Sequence, residues 1–220
     1  ELTEKQEYQK ALDYLQDCFK TSEDVQMYIP FGNLCMEMLG EEEISDYHRE
    51  LCLDTAEVIV AYKNHGAQVE KRCLISRPAQ ALVYHILSEE AFSLRIYVEG
   101  GYPKKTSCEA GILKTKGHCP GRVPFTVGEG GSEKAVPVFP EEPEKQGMWY
   151  EGWGKVVTDG EVEEAGDALI VKNAKELTLY YDIRTSFNGY DKHPVLEGIS
   201  PVPLLEKDLT CAEKSYASLR

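Results

Sequence analysis

The 220-residue sequence has no apolar run near the ~18–20 residues that a membrane-spanning helix needs, so no membrane partner is expected. It has no CxxC or HxxxH pair, the spacings that usually mark zinc ligands, and no metal site is expected. His118 and Cys119 follow Cys108, with Cys73 and His85 further back, but without such spacing they read as parts of a pinned loop and of strands. A P-loop and a dinucleotide fingerprint are also missing. The glycine run GEGG at 128–131 lies in a polar loop and not between a strand and a helix, so no cofactor is expected. Basic residues are few: 24 Lys and Arg stand against 38 Asp and Glu, a formal charge of −14. That sign repels nucleic acid and anionic membrane alike. The acidic residues form short clusters such as 41–43 and 141–142, whose plainest reading is a solvated surface. The seven cysteines, Cys18, Cys35, Cys52, Cys73, Cys108, Cys119 and Cys211, show no pairing pattern. An odd, scattered set reads as reduced thiols and a cytoplasmic protein. The chain opens at Glu1 instead of Met, which reads as an excised or processed piece and makes the missing signal peptide uninformative.

What is present is strand pattern. Hydrophobic residues make up 42% and aromatics 10%, enough for a substantial core in one large β domain. Across 28–100 the apolar residues repeat at period two. Val58, Val60 and Tyr62 alternate with Glu57, Ile59, Ala61 and Lys63; Phe92, Leu94, Ile96 and Val98 alternate with Ser93, Arg95, Tyr97 and Glu99. Successive side chains leave opposite faces of a pleat, so this is the mark of half-buried strands. Asn64, His65 and Gly66 supply a tight hairpin turn. A strand is expected near 108–116, others near 149–158, 168–172 and 176–186, and a hairpin turn at Asp159-Gly160. The Gly-, Pro- and charge-rich remainder of 101–147 predicts a long exposed excursion.

Helices are expected at the two ends. Over 3–20, Thr3 and Gln6 fit a capping box, and Tyr8, Ala11, Leu12, Leu15, Cys18 and Phe19 recur at helical spacing as a docking stripe. Over 204–220, Leu205, Leu209, Ala212, Tyr216 and Leu219 do the same and predict a second helix. The fold class is therefore all-β, with flanking N-terminal and C-terminal helices, in a single domain over 1–220 whose sheet spans about 25–187.

The segments YIPFGNL, YHRELCLDTA, SRPAQALVYHI, GHCPGRV (117–123), LIVKNAKELTLYYDIRTSF (169–187) and NGYDKHP (188–194) occur in this order. As an ordered set they resemble the amino-terminal domain of glycoside hydrolase family 95, the α-L-fucosidase type. The resemblance implies an antiparallel β-sandwich (super-sandwich) that precedes an α-helical barrel, with 204–220 as the linker helix. It implies that the barrel carries the catalytic acid and base, outside this chain. The whole protein would then hydrolyse terminal α-L-fucosyl or α-L-galactosyl linkages with inversion. In that family a block of strands with Gly-Asn-Gly and Asn-Glu segments precedes the first helix, and neither occurs here before Thr3.

Glycosidic hydrolysis needs two carboxylates flanking the scissile bond. Spacing singles out no such pair among the 38 acidic residues, and nothing sets a Cys near His48, His65, His85 or His193 as a nucleophilic pair. Two stretches remain as candidates. Trp149, Tyr150 and Trp153 cluster in MWYEGWG. Exposed, they would stack on sugar rings; otherwise one is core and the others line a domain contact. The loop TSFNGYDKHP (185–194) presents Asn188, Asp191, Lys192 and His193 directly after a core strand, either as a site held by a rigid sheet or as a plain connector. The leading reading is a non-catalytic domain whose partner is its own downstream catalytic barrel. An independent carbohydrate-binding module for fucosylated glycans is the alternative, and a self-sufficient enzyme is a third reading that requires two buried carboxylates facing one cleft.

Overall fold

The computed structural model describes residues 7–19, 30–40, 43–127 and 133–219. Helix α1 (Tyr8–Phe19) comes first, then strands β1 (Asn33–Leu39), β2 (Ile44–Cys52), β3 (Glu57–Asn64), β4 (Ala67–Ser76) and β5 (Ala81–Glu99). Strands β6 (Lys104–Glu109), β7 (Ile112–His118), β8 (Phe125–Val127) and β9 (Glu133–Ala135) follow, and β8 pairs with β9. Then come β10 (Trp149–Thr158), β11 (Glu161–Ala165) and β12 (Ala168–Thr185). The C-terminal segment holds α2 (Val202–Asp208), a 3-10 turn (Leu209–Glu213) and α3 (Tyr216–Leu219). Thr3, Gln6 and GEGG lie outside the described residues, so the expected cap falls there too.

The main sheet runs β2-β3-β4-β5-β12-β10-β7-β6, antiparallel throughout. Its two central strands are long, 19 residues in β5 and 18 in β12. Both continue into a second, smaller sheet. The first half of β5 pairs with β4 and its second half with β1. The second half of β12 pairs with β10 and its first half with β11. The change happens at register shifts between Val171 and Glu176, where Asn173 takes a left-handed φ of 54°. Bulges of this kind bend a strand and let it switch sheets, so the ribbon folds over itself into a sandwich.

Period two decides what fills it. From the smaller sheet Leu94, Ile96, Leu169 and Val171 face Ile86, Leu113, Leu177 and Leu179 of the larger one, all fully buried. Inner positions of β10 are Gly152 and Gly154, and the Tyr181 ring occupies the space; a Cβ on Gly152 would lie 2.3 Å from the Tyr181 hydroxyl oxygen. The opposite face of the main sheet carries Leu74, Ala81, Val83, Trp153 and Tyr180. Leu205, Leu209, Cys211, Ala212 and Leu219 of the C-terminal segment cover it.

Several expectations change. The strand expected near 108–116 is the turn and second arm of the β6–β7 hairpin. Ala110 (φ 52°) and Gly111 (φ 70°) supply the two left-handed residues that a two-residue turn matched to strand twist demands. His65 and Gly66 do the same between β3 and β4, as expected. Asp159-Gly160 is not a hairpin turn. β10 and β11 both lie along β12, and the Asp159 carboxylate accepts from the Lys175 and Glu176 amides at 2.9 and 3.0 Å, bracing the corner between the sheets. The two segments expected at 168–172 and 176–186 are one strand. The excursion after 101 carries β6 to β9 and a 3-10 turn at Pro143–Lys145. The single helix expected over 204–220 is broken into α2, the 3-10 turn and α3, because the stripe follows the sheet surface beneath it. On α1, Tyr8, Leu12 and Leu15 stay exposed, so the expected docking stripe has no cover among the described residues.

Candidate interdomain face

Register places five connections at one end of the main sheet. The pairs Cys52↔Glu57, Ser76↔Ala81, Tyr150↔Thr185, Trp149↔His118 and Lys104↔Gly117 all terminate there. The connections are 53–56, 77–80, 100–103, 119–148 and 186–201. The opposite end holds tight turns and the corner into the smaller sheet. Loop length and side-chain variety are thus concentrated at a single end, held by a rigid frame.

Ser186 anchors the longest connection after β12. It is fully buried; its amide donates to the Trp149 carbonyl at 2.9 Å and its hydroxyl to the Pro194 carbonyl at 2.6 Å. Its hydroxyl also accepts from the Trp149 amide at 3.2 Å, and its carbonyl accepts from the Ile199 amide at 3.1 Å. One serine therefore ties strand β10 to both sides of the 187–199 loop. Of the four expected residues, three converge on Glu197. The Asn188 side-chain amide donates to the Glu197 carbonyl at 2.8 Å; the His193 amide donates to its carboxylate at 3.1 Å; the Lys192 ammonium lies 3.6 Å from the same group. Asp191 is exposed nearby at the loop tip.

His193 is fixed at both ring nitrogens. Nδ1 accepts from the Val195 and Leu196 amides at 3.2 and 3.1 Å, which leaves the proton on Nε2, donating to the Glu144 carbonyl at 3.0 Å. The histidine is a clasp between the 187–199 loop and the 3-10 turn of the 119–148 connection. A neutral imidazole committed at both nitrogens has no lone pair left for acid–base work. Around the clasp, Phe187, Leu196 and Ile199 are exposed and Tyr190 is 98% exposed, so the loop presents an apolar surface on a hydrogen-bonded base. Ser186, Glu197 and Glu144 act here without having stood out in the sequence, because each works through a partner distant in the chain or through its own backbone.

The tryptophans divide. Trp153 is buried in the outer-face core; its indole N–H donates to Glu151 at 3.2 Å, and the Lys114 ammonium sits 4.8 Å above its ring. Trp149 is half-buried under Lys116, 4.7 Å above its ring, and Lys116 also pairs with Glu151 at 2.8 Å. The two do not form the exposed pair that would favour the binding-module reading. The buried carboxylates Glu57, Glu151 and Asp182 are each committed. Glu57 accepts from the Tyr216 hydroxyl at 2.5 Å, Glu151 holds Lys116, and Asp182 binds Arg184 at 2.8 Å while burial pushes its pKa up. Glu151 and Asp182 lie on one face of the neighbouring strands β10 and β12, and each is held by its own cation instead of standing free as an acid or base must. Among the described residues, no group of three His, Cys, Asp or Glu gathers as a metal site. All seven cysteines are free thiols, and burial raises the pKa of Cys73, Cys119 and Cys211.

The profile of the N-terminal domain of glycosyl hydrolase family 65 matches residues 1–190, most of the chain and nearly all of the sandwich. The chain belongs to this family of N-terminal domains. No curated protein matches it. The match is to family 65 and not to family 95 specifically, so what stands is the broader statement: a glycoside hydrolase N-terminal sandwich domain, of a kind that accompanies a catalytic domain.

Proposed function

We propose that this N-terminal domain packs its loop-bearing end against a downstream catalytic barrel and closes one side of the active site there. The observation that carries the reading is the 187–199 loop. Its backbone is pinned by Ser186, Glu197 and His193, while Phe187, Tyr190, Leu196 and Ile199 face outward. Isolated apolar residues on a surface need no explanation, but a cluster held rigidly in place fits an interface. The outer face of the sheet is already taken by the C-terminal segment.

The activity we propose for the whole protein is inverting hydrolysis of terminal α-L-fucosyl or α-L-galactosyl linkages. Its support is the ordered set of sequence segments that resemble the α-L-fucosidase type; the family 65 match supports the broader glycoside hydrolase setting alone. The scattered, odd set of thiols supports a cytoplasmic setting. The test is to incubate this chain, and a longer protein continuing through the catalytic domain, with aryl α-L-fucoside, aryl α-L-galactoside and fucosylated oligosaccharides. The chain alone should be silent and the longer protein active. Hydrolysis by the chain alone, abolished by changing one of its own carboxylates, would overturn the non-catalytic role. Silence from both would remove the fucosidase assignment.

A further inference from the structure

Between the 119–122 bend, the 138–146 stretch and the His193 clasp lies an open cleft of ≈ 740 Å³, lined among others by Arg122, Pro140, Glu142, Glu144, Lys145 and Gln146. That volume falls within the ~300–1,000 Å³ of small-molecule sites. The walls are built. The Gly121 amide donates to the Val138 carbonyl and the Val138 amide to the Arg122 carbonyl, each at 3.0 Å. The 3-10 turn is tied across by His193, and Gly121 approaches so closely that a Cβ there would lie 1.9 Å from the Lys145 carbonyl oxygen.

The lining chemistry narrows the ligand. Two cations, Arg122 and Lys145, balance two carboxylates, Glu142 and Glu144. Lys145 pairs with Glu142 at 3.1 Å, and the Gln146 side-chain amide donates to the Glu141 carbonyl at 2.9 Å. Among the described residues, the Arg122 guanidinium and the Glu144 carboxylate make no side-chain hydrogen bond or ion pair, although both line the cleft. A balanced lining gives no net attraction to a phosphate or a metal cation. An uncommitted donor and an uncommitted acceptor lining one cleft suit a neutral ligand that is both donor and acceptor, as the hydroxyls of a sugar are. Val138, Pro140 and Pro194 supply apolar surface for its C–H faces.

We propose that this cleft binds a neutral saccharide, with Arg122 donating to and Glu144 accepting from adjacent hydroxyls. Its place beside the catalytic domain rests on the docking reading above; its ability to bind does not. The experiment is an NMR titration of this chain, following backbone amides, with 2′-fucosyllactose as the probe and inorganic phosphate as the charged control. Expected are saturable shifts at Gly121, Arg122, 144–146 and His193 with the sugar and none with phosphate. Arg122→Ala and Glu144→Gln should each weaken binding about tenfold, the loss of a hydrogen bond to a charged group. Both residues are at the surface, and unchanged unfolding midpoints will show that the variants are folded. Absence of shifts, shifts confined to another part of the sheet, equal shifts with phosphate, or wild-type binding by both variants would each overturn the site. The docking reading is read separately, from exchange protection in the longer protein, so the two fail independently.

Discussion

Tyr180 and Tyr181 are neighbours on β12 whose hydroxyls meet different surroundings. The Tyr180 hydroxyl donates to the Lys214 carbonyl at 3.0 Å; the Tyr181 hydroxyl is buried with no hydrogen-bond partner among the described residues, and burial pushes its pKa far up. Removing a satisfied hydroxyl costs about 1 kcal/mol, whereas removing an orphaned one relieves a desolvation penalty. Tyr180→Phe should therefore lose about 1 kcal/mol by urea unfolding, and Tyr181→Phe should match or exceed wild type; the reverse order would refute the packing described. His85 sets a pH dependence. It is buried beside Thr178, stacked on the Tyr216 ring at 4.6 Å and faced by Glu176, Glu70 and Arg72. Burial is the largest influence and lowers its pKa from the ordinary 6.5; Glu176 opposes this and Arg72 assists it. The unfolded chain then binds the proton first, so this contribution to stability is whole above pH 6.5 and declines as pH falls below it. A series of unfolding midpoints from pH 8 down to about pH 5 should show that decline, and His85→Gln should flatten it. None of these roles was legible in the sequence, because each depends on which residue of another element stands opposite.

At the scale of elements, the C-terminal segment and α1 carry similar apolar stripes with opposite fates. Leu205 is fully buried against the sheet, and Arg184 of β12 clasps Asp208 of α2 while also binding Asp182. Leu12 of α1 is 48% exposed. Leu205→Ala should cost about 2–5 kcal/mol and Leu12→Gln under about 0.5 kcal/mol, measured as denaturant midpoints at constant slope. Equal losses would mean that α1 is docked in the folded chain. Helical spacing showed which residues of each stripe belong together, but not whether a surface waits to receive them. Strand pattern was more informative: alternation in 92–98 reports one pleat facing one core, and its faces are as expected, while in 57–63 Tyr62 is core but Glu57, on the polar side, is fully buried and Val58 stays outside the core. The corner at Asp159 and Asn173 was hidden, since a bulge is fixed by the register of two strands and not by either alone. In the loop, Asn188 and His193 stood out as polar residues after a core strand, while Ser186 and Glu197 did not, because Ser186 ties to Trp149 far back in the chain and Glu197 acts only once the loop has curled back on itself.

The whole molecule is a sandwich with one face sealed by its own C-terminal segment and one end given over to loops, and the docking role proposed for this N-terminal glycoside hydrolase domain rests on what that end meets. If the end docks on a catalytic domain, its amides must slow their exchange when that domain is present, whichever sugar the enzyme cleaves. Hydrogen–deuterium exchange of this chain beside the longer protein reads this directly. The predicted result is added protection over 186–201 and 138–148, with the turns at 64–66 and 110–111 unchanged, and loss of that protection in Tyr190→Asp. No added protection at the loop end, or protection confined to α1 and the β2–β3 edge, would contradict the account.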